Sequence, residues 1–341
     1  APGVGSAEPM KDIRRQIERQ SRPPRADPCG RLTAAGSDRA MSATRATTAQ
    51  ATALAGVRQI VADYVALTKP KVQSLLLFTT VSAMFIAGTP SAWLVVATVI
   101  GGYLSAGGSG AINHWYDRDI DVRMTRTADR PVASGRVSPR AALTFGLVLG
   151  ATSAVWLAVL VNPLAAGLSL LGFVGYAVGY TMLLKRHTWQ NIVWGGAAGA
   201  VPPLVGWAAV DGQLTGLAIF LFFIVFFWTP PHFWALSLLM KDEYAKVGVP
   251  MLPVVRGEDE TRRQILLYTV LLYAVTQLPF CAGGLSAFYL VASLGLGIAF
   301  IVLSLKLRRR ADRASALRVY LYSLGYLAAL FAAMVADVHL F

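Results

Sequence analysis

Residues 113–121 read Asn-His-Trp-Tyr-Asp-Arg-Asp-Ile-Asp and directly follow an apolar segment, 91–112, that is long enough to cross a membrane. Asn113, Asp117 and Asp121 are spaced by four residues, so a helix continuing out of that segment carries all three on one face. Their side-chain oxygens are the hard donors that Mg²⁺ prefers, with water or a phosphate completing its coordination. The stretch therefore predicts a membrane helix with a Mg²⁺ site at its mouth.

Basic side chains follow this stretch closely. They are Arg123, Arg126, Arg130 and Arg136. Charge-assisted hydrogen bonds from such residues can hold the far side of a diphosphate. The alternative is a solvated, salt-bridged loop at the end of a membrane helix. The regular spacing of the three oxygen-bearing side chains favours the metal–diphosphate site.

The composition indicates a membrane protein. The 341 residues are 55% hydrophobic and only 14% charged, with a formal net charge of +13. Soluble domains carry about 25% charged residues, so we expect membrane lipid to cover much of this surface. The positive charge is also typical of nucleic-acid-binding proteins, but basic residues beside membrane spans have a simpler cause in topology, and we expect no nucleic-acid partner. Cys29 and Cys281 form neither a disulfide framework nor a metal-binding spacing.

The amino-terminal region differs from the rest of the chain. Residues 1–55 are rich in Ala, Arg, Ser, Thr and Pro without apolar periodicity, which predicts a disordered basic tail. The residues after Met41 resemble an ordinary amino terminus, so an upstream extension over 1–40 is a hypothesis that mass spectrometry of the native amino terminus tests. Residues 56–341 are expected to form one membrane-embedded domain.

Nine apolar runs follow the tail, each close to the roughly 20 residues that span a bilayer. They lie at 71–88, 91–112, 140–161, 163–184, 191–210, 214–239, 264–283, 286–305 and 317–338. Beyond residue 55 every Lys and Arg lies in or beside an even-numbered loop or the approach to the first run. By the positive-inside rule, the amino terminus and the even loops are cytoplasmic and Phe341 is outside. We therefore expect an all-α bundle of nine transmembrane helices.

The fourth loop and the sixth span add candidate site residues. Lys185 and Arg186 form a short basic turn that either adds a cation to a phosphate or serves only as an orientation signal. His232 follows Pro230-Pro231, which should unwind or kink its span. It is either a buried, hydrogen-bonded histidine or an iron ligand.

The sixth loop contains the next acidic pair, Asp242 and Glu243, two to three turns beyond His232. One interpretation is a second metal position opposite Asp117 and Asp121. The other is a pair of interfacial charges balanced by nearby lysines.

Several stretches together resemble the UbiA superfamily of intramembrane prenyltransferases. They are Asn113-x-x-x-Asp117-x-x-x-Asp121, Thr68-Lys69-Pro70, Arg130-Pro131, Lys185-Arg186-x-Thr188-x-x-Asn191-Ile192-Val193, Gly199-Ala200-x-Pro202-Pro203-Leu204-x-Gly206-Trp207, Trp228-Thr229-Pro230-Pro231-His232-Phe233-Trp234 and Pro250-Met251-Leu252-Pro253-Val254. They run in order over about residues 60–340, and the tail lies outside the resemblance. The resemblance implies a nine-helix bundle around a central cavity that opens to the cytoplasmic side.

The resemblance also implies Mg²⁺-assisted departure of diphosphate from an allylic donor, with Asn113, Asp117 and Asp121 as metal ligands and catalytic residues. It assigns the diphosphate to four basic residues. These are Lys69, Arg126, Arg130 and Lys185. Many relatives carry a second motif of several aspartates spaced by three. In this chain only Asp242 and Glu243 stand there, and Asp242 is the Mg²⁺ ligand that the resemblance implies.

Within the superfamily, the stretches resemble the branch whose acceptor is protoheme IX. This implies transfer of the farnesyl group of farnesyl diphosphate to a heme vinyl group, giving heme O on the route to heme A and cytochrome oxidase. Heme is then a substrate rather than a cofactor, His232 a heme-binding residue, and a downstream heme-modifying membrane enzyme a partner. We expect the plasma (inner) membrane of a bacterium. Two alternatives stay open: the same chemistry on a quinone precursor or a chlorin, and a transporter of a polyanion.

Overall fold

The computed structural model describes residues 56–341. The tail predicted over 1–55 lies outside the described residues. Val61–Phe341 form one compact unit. Of the unit before it, Ala1–Ile60, the structure describes only 56–60, which are helical.

Nine helices within residues 56–341 are long and apolar enough to cross a membrane. They are α1 (Pro70–Ala87), α2 (Ala92–Tyr116), α3 (Pro139–Leu160), α4 (Pro163–Leu184), α5 (Asn191–Asp211), α6 (Gly216–Leu239), α7 (Gly257–Cys281), α8 (Ala287–Arg310) and α9 (Arg313–Leu340). Short helices are Arg118–Asp121, Lys241–Lys246 and Leu252–Val255, and α7 is interrupted between Val275 and Leu278. The nine predicted spans are confirmed, and the chain is a multi-pass membrane protein.

Two local features differ from the sequence prediction. Helix α7 begins at Gly257 rather than at 264, because its polar first turns form their own ion pairs, such as Arg262 to Glu258 at 3.1 Å. Of the unwinding or kink predicted at Pro230-Pro231, the unwinding is wrong, since α6 is helical from Gly216 to Leu239 with both prolines inside it. The last part of α4, Gly175–Leu184, is a π-helix, a form that often marks functional sites.

Helix packing closes the bundle on itself. Helix α2 packs on α1, α3 and α4, α5 packs on α1, α4 and α6, and α9 returns to contact α1, α6 and α8. The α2–α3 contact brings two backbones together: a Cβ added at Gly108 would lie 2.6 Å from the carbonyl oxygen of Gly146. Small residues at such crossings are typical of membrane helices.

The even-numbered loops meet at one end of the bundle, here called the polar end: residues 117–138, 185–190, 240–256 and 311–312, with Lys69. Arg186 donates to Asp119 at 2.7 Å, and Glu243 accepts the Thr125 backbone N–H at 2.8 Å. At the opposite end, Asn162 donates to the carbonyl oxygen of Ala208 at 2.7 Å. The charged loops thus lie together at one end of the bundle, as the placement of Lys and Arg in the even-numbered loops predicted.

Asp337 stabilises that opposite end. Its carboxylate accepts the backbone N–H groups of Ser286 at 2.8 Å and Tyr289 at 3.0 Å and the Ser286 hydroxyl, so α9 caps the first turn of α8. Asp337→Ala is expected to lower the free energy of unfolding by about 2 kcal/mol, the typical contribution of hydrogen bonds to a charged group. Asp337→Asn should cost less. Thermal unfolding of purified protein tests this, and Asp211→Ala, at the same end of the bundle, is the control. Equal transition temperatures in Asp337→Ala, Asp337→Asn and Asp211→Ala would contradict the prediction.

Candidate functional site

The three predicted metal ligands lie where α2 ends. Asn113 is in its last turn, Asp117 is the junction, and the short helix Arg118–Asp121 follows. The helix predicted to run straight through is therefore broken at Asp117. The spacing nevertheless survives, because Asp117 N–H donates to Asn113 O and Asp121 N–H to Asp117 O, both at 2.9 Å. All three side chains are buried, with Asp117 0% exposed.

Cations occupy both carboxylates. Lys185 forms an ion pair with Asp117 Oδ2, and Arg186 Nη2 lies 3.4 Å from Asp117 Oδ1. Arg130 Nη1 donates to both oxygens of Asp121, at 3.0 and 2.8 Å. The structure thus brings the predicted metal ligands together with predicted diphosphate-binding residues from the second and fourth loops.

Asn113 joins these groups into one network. Its Nδ2 donates to Asp117 Oδ2 at 2.8 Å and to Thr181 Oγ1 at 3.1 Å, and its Oδ1 accepts from Lys69 Nζ at 2.6 Å. Thr181 is fully buried and lies in the π-helical part of α4, four residues before Lys185. The π-helix therefore supplies a polar contact to the same site that Lys185 enters.

Lys69 has an unusual backbone and environment. Its φ of 53° is left-handed, which is unfavourable for a residue that precedes proline. Its ammonium group lies 5.8 Å from the ring centre of Tyr176. Burial, together with the nearby charges of Arg130 and Lys185, lowers the pKa of Lys69 to about 7. A backbone strained in this way, next to clustered like charges, is typical of binding sites.

The oxygen donors of this network fit Mg²⁺. Two carboxylates and one amide oxygen are hard ligands, and the Lys and Arg groups now on them show that these oxygens accept positive charge. Among residues 56–341 no group of three or more His, Cys, Asp or Glu side chains is arranged to hold a metal. Asn113, Asp117 and Asp121 thus offer a partial coordination shell, of the kind that Mg²⁺ completes with water and phosphate oxygens.

The other predicted polar residues lie around this network. Arg126 is exposed and lies near Tyr244. Burial raises the pKa of Tyr244, and the positive charges of Arg126 and Arg130 partly offset that rise. Asp242 is exposed and has no hydrogen bond to any described residue, so its role as a metal ligand stays a prediction. Glu243 instead accepts from the backbone N–H and the hydroxyl of Thr125, at 2.8 and 3.2 Å. It joins the sixth loop to the second loop at the polar end.

His232 lies deeper, in α6. It is 6% exposed, and its ring stacks on Trp228 at 4.3 Å and on Tyr320 at 4.9 Å between ring centres. Its Nδ1 lies 2.7 Å from the Ser323 hydroxyl. The predicted heme-binding residue is therefore held by aromatic rings from two helices.

Two contributors to the site were missed by sequence reasoning. Thr181 contacts Asn113 directly, and Tyr176 lies beside Lys69. Arg186, which was predicted as part of the basic turn, contacts Asp117. Thr181, one helical turn before Lys185, could have been found. Nothing in the sequence distinguishes Tyr176 from other tyrosines in apolar spans.

A family model described as UbiA prenyltransferase family matches residues 76–331. The chain is 56% identical to the protoheme IX farnesyltransferase of Chloroflexus aurantiacus over 84% of its own length, and spans 50% of that relative. It is 52% identical to the protoheme IX farnesyltransferase of Deinococcus radiodurans over 81% of its own length, and spans 92% of that relative. The chain thus covers about half of the first relative and nearly all of the second.

Solved structures are similar in fold. A structure reported with digeranylgeranylglyceryl phosphate synthase superposes with a TM-score of 0.69 at 16% identity, covering 82% of this chain and 98% of that one. A UbiA homolog from Archaeoglobus fulgidus bound to GPP and Mg²⁺ superposes with a TM-score of 0.58 at 16% identity, covering 80% of this chain and 99% of that one. At such low identity the likeness concerns the fold alone.

Proposed function

The chain belongs to the UbiA prenyltransferase family, and on that basis we propose that it transfers the farnesyl group of farnesyl diphosphate to a vinyl group of protoheme IX. The observation that carries the proposal is the identity of 52% to a protoheme IX farnesyltransferase of which the chain spans 92%. The buried network of Asn113, Asp117 and Asp121 with Lys185 and Arg130 supports it, because a prenyl diphosphate needs both a metal site and cations.

The C–O bond of farnesyl diphosphate breaks, and diphosphate departs with the electron pair. The terminal vinyl carbon of heme attacks the allylic carbocation, and water adds to the adjacent carbon with loss of a proton. The products are a hydroxyethylfarnesyl heme and diphosphate.

The residues of the site suit the departure step. Asn113, Asp117 and Asp121 would hold Mg²⁺, which when bound neutralises the charge that develops on the diphosphate. Lys185 and Arg130 now form ion pairs with the carboxylates that would bind the metal. When the metal takes those carboxylates, the two cations would turn onto the diphosphate oxygens. Lys69, partly buried beside both, would add a third donor. Exposed Arg126 would meet the diphosphate from the second loop.

The apolar bundle suits the carbocation, which must be kept from water until the vinyl group reaches it. The contact of Glu243 with Thr125 ties the sixth and second loops together at the polar end. We propose that this contact keeps the loops closed while the reaction proceeds.

In the Glu243→Gln variant, water should therefore enter the site more readily. The amide still accepts from Thr125 but loses the charge, and we expect several-fold more farnesol relative to farnesylated heme. Chromatography of products from labelled farnesyl diphosphate measures the ratio. Glu260→Gln, a matched change at the start of α7, should leave it at the wild-type value. An unaltered ratio in Glu243→Gln would contradict the closing role.

Orientation and location are part of the proposal. We propose that the polar end faces the cytoplasm of a bacterium and that Phe341 lies on the outer side of the plasma membrane, because the Lys and Arg residues lie at the polar end. Alkaline phosphatase fused after Phe341 should be active, and fused after Lys246 inactive. The reverse pattern would reject this orientation. A membrane enzyme that modifies the heme product further is the expected partner.

The acceptor is tested with purified protein, labelled farnesyl diphosphate and three acceptors: protoheme IX, an aromatic quinone precursor and a chlorin. We expect product from protoheme IX only, with the mass of heme plus a farnesyl group and a hydroxyl group. Transfer to another acceptor with none to heme would reject protoheme as the substrate while leaving prenyl transfer intact.

A further inference from the structure

The hydroxyl of Ser323 has a defined direction. Ser323 Oγ lies 2.6 Å from the carbonyl oxygen of Tyr320 and 2.7 Å from Nδ1 of His232. A carbonyl oxygen only accepts, so Ser323 uses its single hydroxyl proton to donate to the backbone carbonyl of Tyr320. The hydroxyl oxygen is then left to accept from His232, which requires a proton on Nδ1.

This fixes the tautomer of His232. A neutral imidazole with its proton on Nδ1 has an unshared pair on Nε2. Among residues 56–341 no carboxylate is a hydrogen-bond partner of His232, and an unpaired charge would be costly in this buried position, so the ring is neutral. Among the described residues, Nε2 has no hydrogen-bond partner.

The ring is also held in one plane. Trp228 and Tyr320 stack on it with interplanar angles of 18° and 29°. Trp228 is itself fixed, because its Nε1 donates to the backbone oxygen of Ser323 at 2.7 Å. Ser323 thus anchors both the histidine and the aromatic ring beside it.

The position suits a ligand inside the bundle. His232 lies seven residues before the end of α6 at Leu239, which corresponds to about 10 Å below the polar end at 1.5 Å per residue. A neutral imidazole with a free Nε2 and a second nitrogen that donates to an oxygen is the arrangement of metal-binding histidines.

We propose that Ser323 is a positioning residue that holds His232 with Nε2 unprotonated, so that Nε2 ligates the iron of the protoheme acceptor. This rests on the proposed function. The role of Ser323 is indirect, because Ser323 would contact neither heme nor diphosphate. Nε2 of His232 is the atom that would contact the heme.

Heme titration of the purified protein tests the proposal without turnover. Wild-type protein should bind heme with a nitrogen-ligated spectrum and an Fe–His stretching band in the ferrous state. Ser323→Ala should weaken heme binding by about 10- to 100-fold, as loss of an outer partner of a metal ligand does. It should also move the Fe–His band to lower frequency, because Nδ1–H loses its acceptor.

Three variants complete the design. Ser323→Thr keeps the hydroxyl and should restore both readouts. Ser315→Ala removes another buried α9 hydroxyl, one without a partner among the described residues, and should match wild type. His232→Ala should lose the band and regain a nitrogen ligand with added imidazole.

A second measurement needs no substitution at Ser323. The chain has four histidines, so ¹⁵N spectra of wild-type protein, assigned with His232→Gln, report the tautomer directly. A proton on Nε2, or identical heme affinity and Fe–His band in Ser323→Ala and wild type, would overturn the proposal. If wild type forms the Fe–His complex yet transfers no farnesyl to heme, the proposed function fails instead.

Discussion

Asp117→Asn is expected to lower kcat for farnesyl transfer by about 10³-fold at saturating substrates, the scale of losing one well-placed electrostatic contact at a reacting group. Asp117 is fully buried and accepts from Asn113, Lys185 and Arg186. The amide is nearly the same size but brings no charge for a divalent cation and turns an N–H₂ group toward the cations already there. Rates with labelled farnesyl diphosphate and heme measure the loss.

Asp129→Asn is the matched control. Asp129 lies in the same loop with its side chain 95% exposed, and its partner Arg136 keeps a second contact to Asp63 at 2.9 Å. We expect a change of less than about 2-fold, as is typical of exposed ion pairs. A polyanion transporter would instead move its substrate without Mg²⁺ and tolerate Asp117→Asn. Near-wild-type farnesyl transfer by Asp117→Asn would contradict the proposed role of the carboxylates in the mechanism.

The second large effect concerns the fold. Gly206 in α5 faces the backbone of α1 so closely that an added Cβ would lie 2.1 Å from the carbonyl oxygen of Thr80. Because the obstacle is backbone, the two helices must separate, and Gly206→Ala should cost about 3 kcal/mol of stability. Less folded protein and a lower unfolding temperature in detergent would show it.

Gly199, two turns earlier in the same helix, provides the control. A Cβ added there would meet no atom of the described part of the chain within 4 Å. Gly199→Ala should be neutral or slightly stabilising, because alanine is the better helix former. Equal stability of the two variants would mean that α1 and α5 do not pack as closely as described.

Much of the architecture followed from the sequence because it depends on simple quantities. Span length is set by bilayer thickness and orientation by Lys and Arg, so the nine spans and the meeting of the even loops were predictable. The start of α7 was placed too late because hydropathy ignores a charged first turn. Arg262, Glu258 and Asp259 form a helix outside the apolar run through their own ion pairs.

The candidate site was predictable only in part. The spacing of Asn113, Asp117 and Asp121 indicated a site, but the partner of each depends on contacts between distant parts of the chain. Asp117 meets Lys185 across 68 residues, and Glu243 meets Thr125 across 118. A local pattern contains no information on such pairs. The π-helix of α4 was equally hidden, since its residues read as an ordinary apolar helix.

We propose that Asn113, Asp117 and Asp121 hold a metal together with the diphosphate, so that Lys185 and Arg130 move onto the diphosphate oxygens. Electron–nuclear double resonance tests it most directly, with Mn²⁺ in place of Mg²⁺ and uncleaved farnesyl thiolodiphosphate as the probe. We predict a ³¹P coupling to Mn²⁺ in wild-type protein that disappears in Asp117→Asn/Asp121→Asn. The same coupling, with the same Mn²⁺ affinity, in the double variant would contradict the claim.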